Sequence, residues 1–242
     1  DPWSEPETLL QEKETLGFYV SSHPLDQWAS WISAFKCTPT NELGQVEQKG
    51  RALVGGMIQS VRPIVIRNGK SAGQKMAILT FEDRVGSIDA VLFSDQYAIF
   101  AADLKPDEML FLIGDVDHSR GDPQLIVDRV IPIDGMPRHP IRWLDVLFDA
   151  TVHDDIERRL LEVHALLRQS RGKEPVPLRA FVYFEGAARP VPIPAPNWAC
   201  TPTPDLMKRL HDLLGPDGYA ITGPVLRRDS DRKLGKVRMR RS

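Results

Sequence analysis

The sequence predicts a mixed β and α+β protein: an N-terminal helical hairpin, a five-stranded barrel, then a small α+β domain and a basic tail. Three observations predict it. Residues 4–35 carry apolar side chains at helical spacing, and residues 51–134 are short β-type runs separated by Gly, Pro, Asn and Asp. Beyond residue 143 strand and helix patterns alternate. A length of 242 residues suits two compact domains, or one with appendages.

The opening segment, residues 1–48, reads as the helical hairpin. Ser4 and Glu7 have capping-box spacing, residues 5–16 are rich in Glu, Leu, Lys and Gln, and Gly17 ends the run. Ser21 to Pro24 can cap a second helix with proline in its first turn, where a missing N–H costs nothing. That helix carries Leu25, Trp28, Ile32 and Phe35, spaced for one buried face.

Residues 49–135 follow. A long strand from Ala52 to Ile66 is interrupted by Gly55-Gly56, which permits a sharp bend. Arg67-Asn68-Gly69-Lys70 gives turn chemistry within a basic loop, and Lys75 to Phe81 is the second strand. A turn at residues 82–86 leads to a third strand, Ser87 to Phe93, and a short helix from Asp95 to Leu104. Met109 to Val116 and Gln124 to Ile133 are the last two strands, joined by a polar loop. Five strands with a helix between the third and fourth is the order of the OB-fold, although another small β-barrel fits the same pattern.

Residues 135–142, with Pro137 and Pro140, read as a linker. The α+β domain, residues 143–223, has strands at Trp143–Phe148, Pro177–Phe184 and Arg189–Ile193. Its helices are Asp154–Arg168, with Ile156, Leu160, Val163 and Leu167 along one side, and Pro204–Leu214, with Thr203 as candidate cap. Residues 224–242 are basic, poor in apolar side chains and expected to be disordered. That tail reads as a nucleic-acid arm, a docking segment or a solvated end.

Composition narrows the function. With 42% hydrophobic and 26% charged residues, no bilayer-length apolar run and no secretory leader, a cytoplasmic protein with no membrane partner is expected. Asp1 rather than Met at the start reads as a piece of a longer protein. Cys37 and Cys200 form no CxxC pair, so neither a zinc ribbon nor a disulfide framework is indicated. Net charge is −2, so any contact with nucleic acid must come from local patches. Two are present: the tail, and the acid-free stretch from Arg62 to Lys75.

That stretch is the leading candidate site. In OB-folds the ligand lies over the second and third strands, between the first-to-second and fourth-to-fifth strand loops. Basic groups there follow phosphates while aromatic side chains stack on bases. Arg62, Arg67, Lys70 and Lys75 are the electrostatic candidates, with Asn68 as a hydrogen-bonding group; Arg84, Arg120, Phe81 and Phe93 follow. The competing readings are ordinary polar loop residues for the former and barrel core for the two phenylalanines.

No catalytic constellation stands out. Asp115 and Asp117 share a strand face, but no third carboxylate accompanies them, and solvated carboxylates are the default reading. The histidines lack ligand spacing: His153 and His164 are three helical turns apart, and His23 before Pro24 reads as a cap or packing residue. No P-loop, GxSxG or HExxH motif occurs, and no cofactor is expected.

The run from Leu10 to Leu25, containing Glu12-Lys13-Glu14-Thr15-Leu16-Gly17-Phe18-Tyr19-Val20-Ser21-Ser22-His23-Pro24, closely resembles the segment before the OB domain of bacterial DNA polymerase III alpha subunits. Arg67–Lys70, Met76–Asp83, Gly86–Ile88 and Val91–Phe93 agree, in a pattern also shared by anticodon-binding OB domains. The resemblance extends through residues 5–222, weakest after 140, where the strands, Trp198 and the helix at Asp205 follow the replicative form. It implies a non-catalytic C-terminal part of a polymerase whose catalytic aspartates lie in an upstream palm domain. It further implies an OB domain on single-stranded template DNA and a last domain that binds the clamp-loader tau subunit. The sliding-clamp peptide of that family belongs upstream of Asp1, so clamp contact is expected only through sequence outside this segment. Alternatives are the error-prone alpha paralogue, an anticodon-binding OB domain that takes tRNA, and a protein-interaction scaffold.

Overall fold

The computed structural model describes residues 23–136, 141–173, 175–195 and 197–223. The first helix of the expected hairpin and the basic tail lie outside the described residues. Contacts divide the chain into two compact units, Asp1–Lys36 with Leu144–Ile221, and Cys37–Trp143 with Thr222–Ser242.

The expected opening segment is therefore shared between the two units. His23 caps a 3-10 turn, Pro24–Trp28: its Nδ1 accepts from the Leu25 N–H, and Asp26 accepts from the His23 N–H. Helix α1, Ala29–Ala34, continues from it and packs on the last helix of its own unit. The tight first turn rotates the buried face, so Leu25, Trp31, Ala34 and Phe35 are buried, while Trp28 and Ile32 are only half-buried. Residues 37–48 go with the barrel instead, because Leu43 from the 3-10 turn Thr40–Gln45 enters the barrel core.

The barrel strands are β1 (Arg51–Val65), β2 (Lys75–Glu82), β3 (Ser87–Leu92), β4 (Met109–Asp117) and β5 (Gln124–Pro132). They close in the order β1-β2-β3-β5-β4, with β3 and β5 parallel, and α2 (Ser94–Phe100) lies between β3 and β4. The predicted five-stranded architecture is observed. Strand alternation fills the interior with Ala52, Val54 and Ile58, Ala77, Leu79 and Phe81, Ile88, Ala90 and Leu92, then Leu110, Leu112, Val116, Leu125, Val127 and Val130.

Two close approaches depend on glycine. A Cβ on Gly56 would lie 2.2 Å from the Glu82 carbonyl oxygen, and one on Gly114 would lie 2.2 Å from that of Ile126. Each sits beside an irregular step in the ladder, after Ile58 in β1 and at Ile113/Gly114 in β4, where the barrel turns.

The other unit holds β6 (Trp143–Asp149), α3 (Ile156–Gln169), β7 (Val176–Tyr183), β8 (Val191–Ile193), β9 (Ala199–Cys200), α4 (Pro204–Leu214) and β10 (Tyr219–Thr222). Its sheet runs β10-β6-β7-β8, with β9 also on β7; β6 and β7 are parallel and α3 is the crossover. Thr203 caps α4 as its position predicts, accepting from the Leu206 N–H at 3.2 Å. Val163, Leu166 and Leu167 of α3 are buried in this unit, together with Leu206, Met207, Leu210 and Leu214 of α4.

Candidate nucleic-acid interface

The outer face of the barrel follows from the register. Ser60 pairs with Thr80, Thr80 with Asp89, and Asp89 with Gln124, so one row of side chains crosses β1, β2, β3 and β5. Arg62, Ile78, Val91 and Ile126 form the next row, in which Val91 is buried between its neighbours, and Ile64 with Met76 begins the row beyond it on β1 and β2. Paired residues on one face stand about 5 Å apart, so each row is a continuous strip. The Ser60 hydroxyl donates to Thr80 Oγ1 at 3.1 Å, which fixes the start of the polar strip.

Arg62 lies on this outer face, exposed, opposite Ile78. Arg67, Asn68 and Lys70 are exposed in the connection from β1 to β2. That hairpin is held by the Ile66 N–H on the Gln74 carbonyl and the Gly73 N–H on the Ile66 carbonyl, and Gly69 and Gly73 adopt positive φ of 90° and 84°. Lys75 opens β2 and is exposed opposite Val65, but alternation directs it to the other side of the ribbon from Arg62. Four cations thus gather at one end of the face, presented on two sides.

The remaining candidates part company. Phe81 is fully buried in the barrel core, because its register partner Ile58 faces inward; it has no surface to offer a base, and its reading as a stacking platform is corrected. Phe93 is 47% exposed where β3 gives way to α2. Arg84 is exposed in the turn after β2, at the opposite end of that eight-residue strand from the basic hairpin, about 25 Å away. Arg120, in the loop from β4 to β5, lines a surface depression with Thr80, Asp89, Asp122 and Gln124.

One wall of this depression is the turn carrying Thr40, Asn41 and Gly44. None of Thr80, Asp89 or Gln124 stands out by charge run or motif; the signal for them is the outward phase of strands whose inward phase is Leu79, Phe81, Ala90 and Leu125. The depression is lined by two carboxylates, Asp89 and Asp122, and one cation, Arg120, whereas the hairpin carries Arg67 and Lys70 with no acid beside them.

Asp115 and Asp117 do not act as a pair. Arg51 donates to Asp115 at 3.0 Å and, through two nitrogens, to Asp128 at 2.6 and 3.0 Å. Those bonds hold the Arg51 guanidinium more firmly protonated, against the cost of its partial burial. Asp117 accepts from Gln48, at 2.7 Å, and from the Ser119 hydroxyl and N–H, and these bonds lower its pKa. Asp115 thus ties β4 to β1 and, through Arg51, to β5, whereas Asp117 pins the residues before β1 and the β4–β5 loop to the barrel.

In the second unit His164 stacks on Trp198 with ring centroids 4.7 Å apart, and Arg179 makes two 2.6 Å bonds to Asp145 across β6 and β7. Burial pushes the Cys200 thiol up to about 12. Among the described residues no group of three or more His, Cys, Asp or Glu side chains is arranged to hold a metal. No helix of the described residues is long and apolar enough to cross a membrane.

This barrel has the OB-fold, and residues 52–133 match the family model described as "tRNA_anti-codon: OB-fold nucleic acid binding domain". Over nearly its whole length the chain is homologous to DNA polymerase III alpha subunits. It is 28% identical to that of Halalkalibacterium halodurans over 92% of this chain and 19% of the relative. For Pseudomonas aeruginosa the figures are 29%, 89% and 18%, and for Treponema pallidum 34%, 55% and 11%. The chain therefore spans about a fifth or less of the length of these relatives. Among solved structures, the asparaginyl-tRNA synthetase of Pyrococcus horikoshii matches with 14% identity, a TM-score of 0.32 and coverage of 55% of this chain and 32% of that one.

Proposed function

We propose that this chain is the non-catalytic C-terminal part of a replicative DNA polymerase III alpha subunit, and that its barrel binds single-stranded template DNA. The observation that carries this reading is the pair of strips crossing β1, β2, β3 and β5, bordered by the basic hairpin of Arg67 and Lys70. An unpaired strand can lay its bases on such a surface while its phosphates meet the bordering cations. A duplex keeps its bases stacked inside and offers the face only its backbone. Arg62 borders the apolar strip, so its guanidinium can reach a phosphate or stack on a base plane. Cytoplasmic location accompanies this role.

The unit formed with residues 144–221 is proposed to bind the tau subunit of the clamp loader. This part rests on the kinship with alpha subunits, and contact with the sliding clamp is assigned to sequence outside this chain. Primer extension belongs to the parent polymerase.

Fluorescence anisotropy with single-stranded DNA, duplex DNA and tRNA over a salt series tests the barrel's role. Single-strand preference with affinity falling as salt rises is expected. Equal or absent binding would favour a protein-interaction scaffold. Retention of tau by the full chain and its loss on removing residues 143–242 is expected in a pull-down.

A further inference from the structure

We propose that the floor of the depression on β2, β3 and β5 is a base-reading subsite that prefers guanine, with Asp89 as the specificity-determining residue. It rests on the reading of the barrel as a single-strand site and adds which base edge that site selects.

Thr80, Asp89 and Gln124 stand side by side in one strip and line the depression, with Asp122 and Arg120 on its β4–β5 side. With two carboxylates against the one cation Arg120 in the lining, a phosphate is disfavoured there, whereas the hairpin offers Arg67 and Lys70 with no acid beside them. The backbone of a bound strand therefore runs along the border, and the floor receives base edges.

A carboxylate offers two acceptor oxygens. Guanine presents two adjacent donors on its Watson–Crick edge, N1–H and the N2 amino group, at the spacing of those oxygens. Next to them is the O6 acceptor, and the Gln124 side-chain amide, one strand away from Asp89, can donate to it. Cytosine and adenine present one amino donor beside a ring-nitrogen acceptor. Thymine presents one N–H between two carbonyls, both repelled by the carboxylate. The Thr80 hydroxyl already accepts from Ser60, which leaves its own hydrogen for a further acceptor on the base or sugar.

The test uses the full chain and a fluorescent dodecamer of thymidylate, compared with the same strand carrying one central guanine, inosine or cytosine. A single guanine should tighten binding about five- to tenfold, the lower end expected for a bidentate contact at a half-exposed site. Inosine, which lacks the N2 amino group, should recover only about two- to threefold of that gain. Asp89→Asn should bring the guanine and thymine strands to within about twofold, and Asp89→Ala should do the same, with unfolding midpoints confirming that both variants fold. Tight, salt-dependent binding with no guanine preference would overturn the subsite and leave the single-strand reading standing. A preference that survives in both Asp89 variants would overturn the assignment to Asp89. Failure to bind any of the strands would overturn both readings together.

Discussion

Thr40 is bound twice to Asp83: its N–H donates to Oδ2 and its hydroxyl to Oδ1, each at 2.8 Å. The same Oδ1 accepts from the N–H groups of Val85 and Gly86, at 2.9 and 3.0 Å, so one carboxylate both shapes the β2–β3 turn and anchors the wall of the depression. Thr40 is the buried polar residue of this arrangement, and a Cβ on Gly86 would already lie 3.0 Å from its hydroxyl oxygen.

Asp83→Ala should therefore lower stability by about 2–4 kcal/mol, since it removes a charged acceptor and leaves several donors without it. Thr40→Val, which keeps the N–H bond and the shape, should cost about 1 kcal/mol. Urea unfolding of both variants checks this, with similar losses in the two contradicting the shared-anchor role of Asp83.

The two phenylalanines at the barrel should behave oppositely. Phe81→Ala empties a fully buried position and should destabilise by about 3–5 kcal/mol. Phe93→Ala alters a half-exposed side chain and should stay within about 0.5 kcal/mol of the parent. Thermal or urea midpoints distinguish them directly.

Replacing Arg67 and Lys70 together by Ala should weaken single-strand binding and flatten the plot of log affinity against log salt by about 1.4, roughly 0.7 for each phosphate of a single strand that is no longer neutralised. An unchanged slope would remove the hairpin from the interface.

Tyr219 links pH to the stability of the other unit. Its hydroxyl donates to the Ser30 carbonyl at 3.2 Å and lies 3.2 Å from His211 Nδ1. Burial raises its pKa, although hydrogen bonding with Ser30 and Ser33 works in the other direction. The unfolded chain then ionises first as pH rises, so stability is complete below the ordinary tyrosine value of about 10 and falls as pH climbs from there through the folded value. Tyr219→Phe should lose about 1 kcal/mol at neutral pH and show a shallower alkaline decline, read by unfolding across alkaline pH.

Much of the fold is legible in the sequence. The pattern places all five barrel strands to within a residue or two, because alternation such as Ala77-Ile78-Leu79-Thr80-Phe81 has a single solution with one buried face. The helix after β3 is shorter than predicted, ending at Phe100 rather than Leu104, since beyond it the Asp103 N–H bonds the Phe100 carbonyl three residues back, a tight turn in place of the α-helical step. The opening segment divides where the pattern predicts one piece: Leu25 and Trp31 serve one unit and Leu43 the other, and helical spacing carries no information about which partner a face will find. For the site, charge locates Arg62, Arg67 and Lys70 but says nothing of Asp89 or Gln124, whose place depends on the parallel pairing of β3 with β5. Phe81 shares the phase of Ala77 and Leu79, so the alternation of β2 itself puts it inside, and only its residue type suggests a stacking role.

The outer face of β1, β2, β3 and β5 is the surface proposed to meet a single strand, and the base-reading subsite depends on it. Titrating the isotopically labelled chain with a short unpaired DNA and following backbone amide shifts tests it most directly. Shifts should cluster at Ser60–Ile64, the hairpin of Arg67–Lys70, Ile78–Thr80, Asp89–Val91 and Arg120–Ile126. Shifts confined to residues 144–221, or spread over the α2 side of the barrel while these positions stay still, would contradict it.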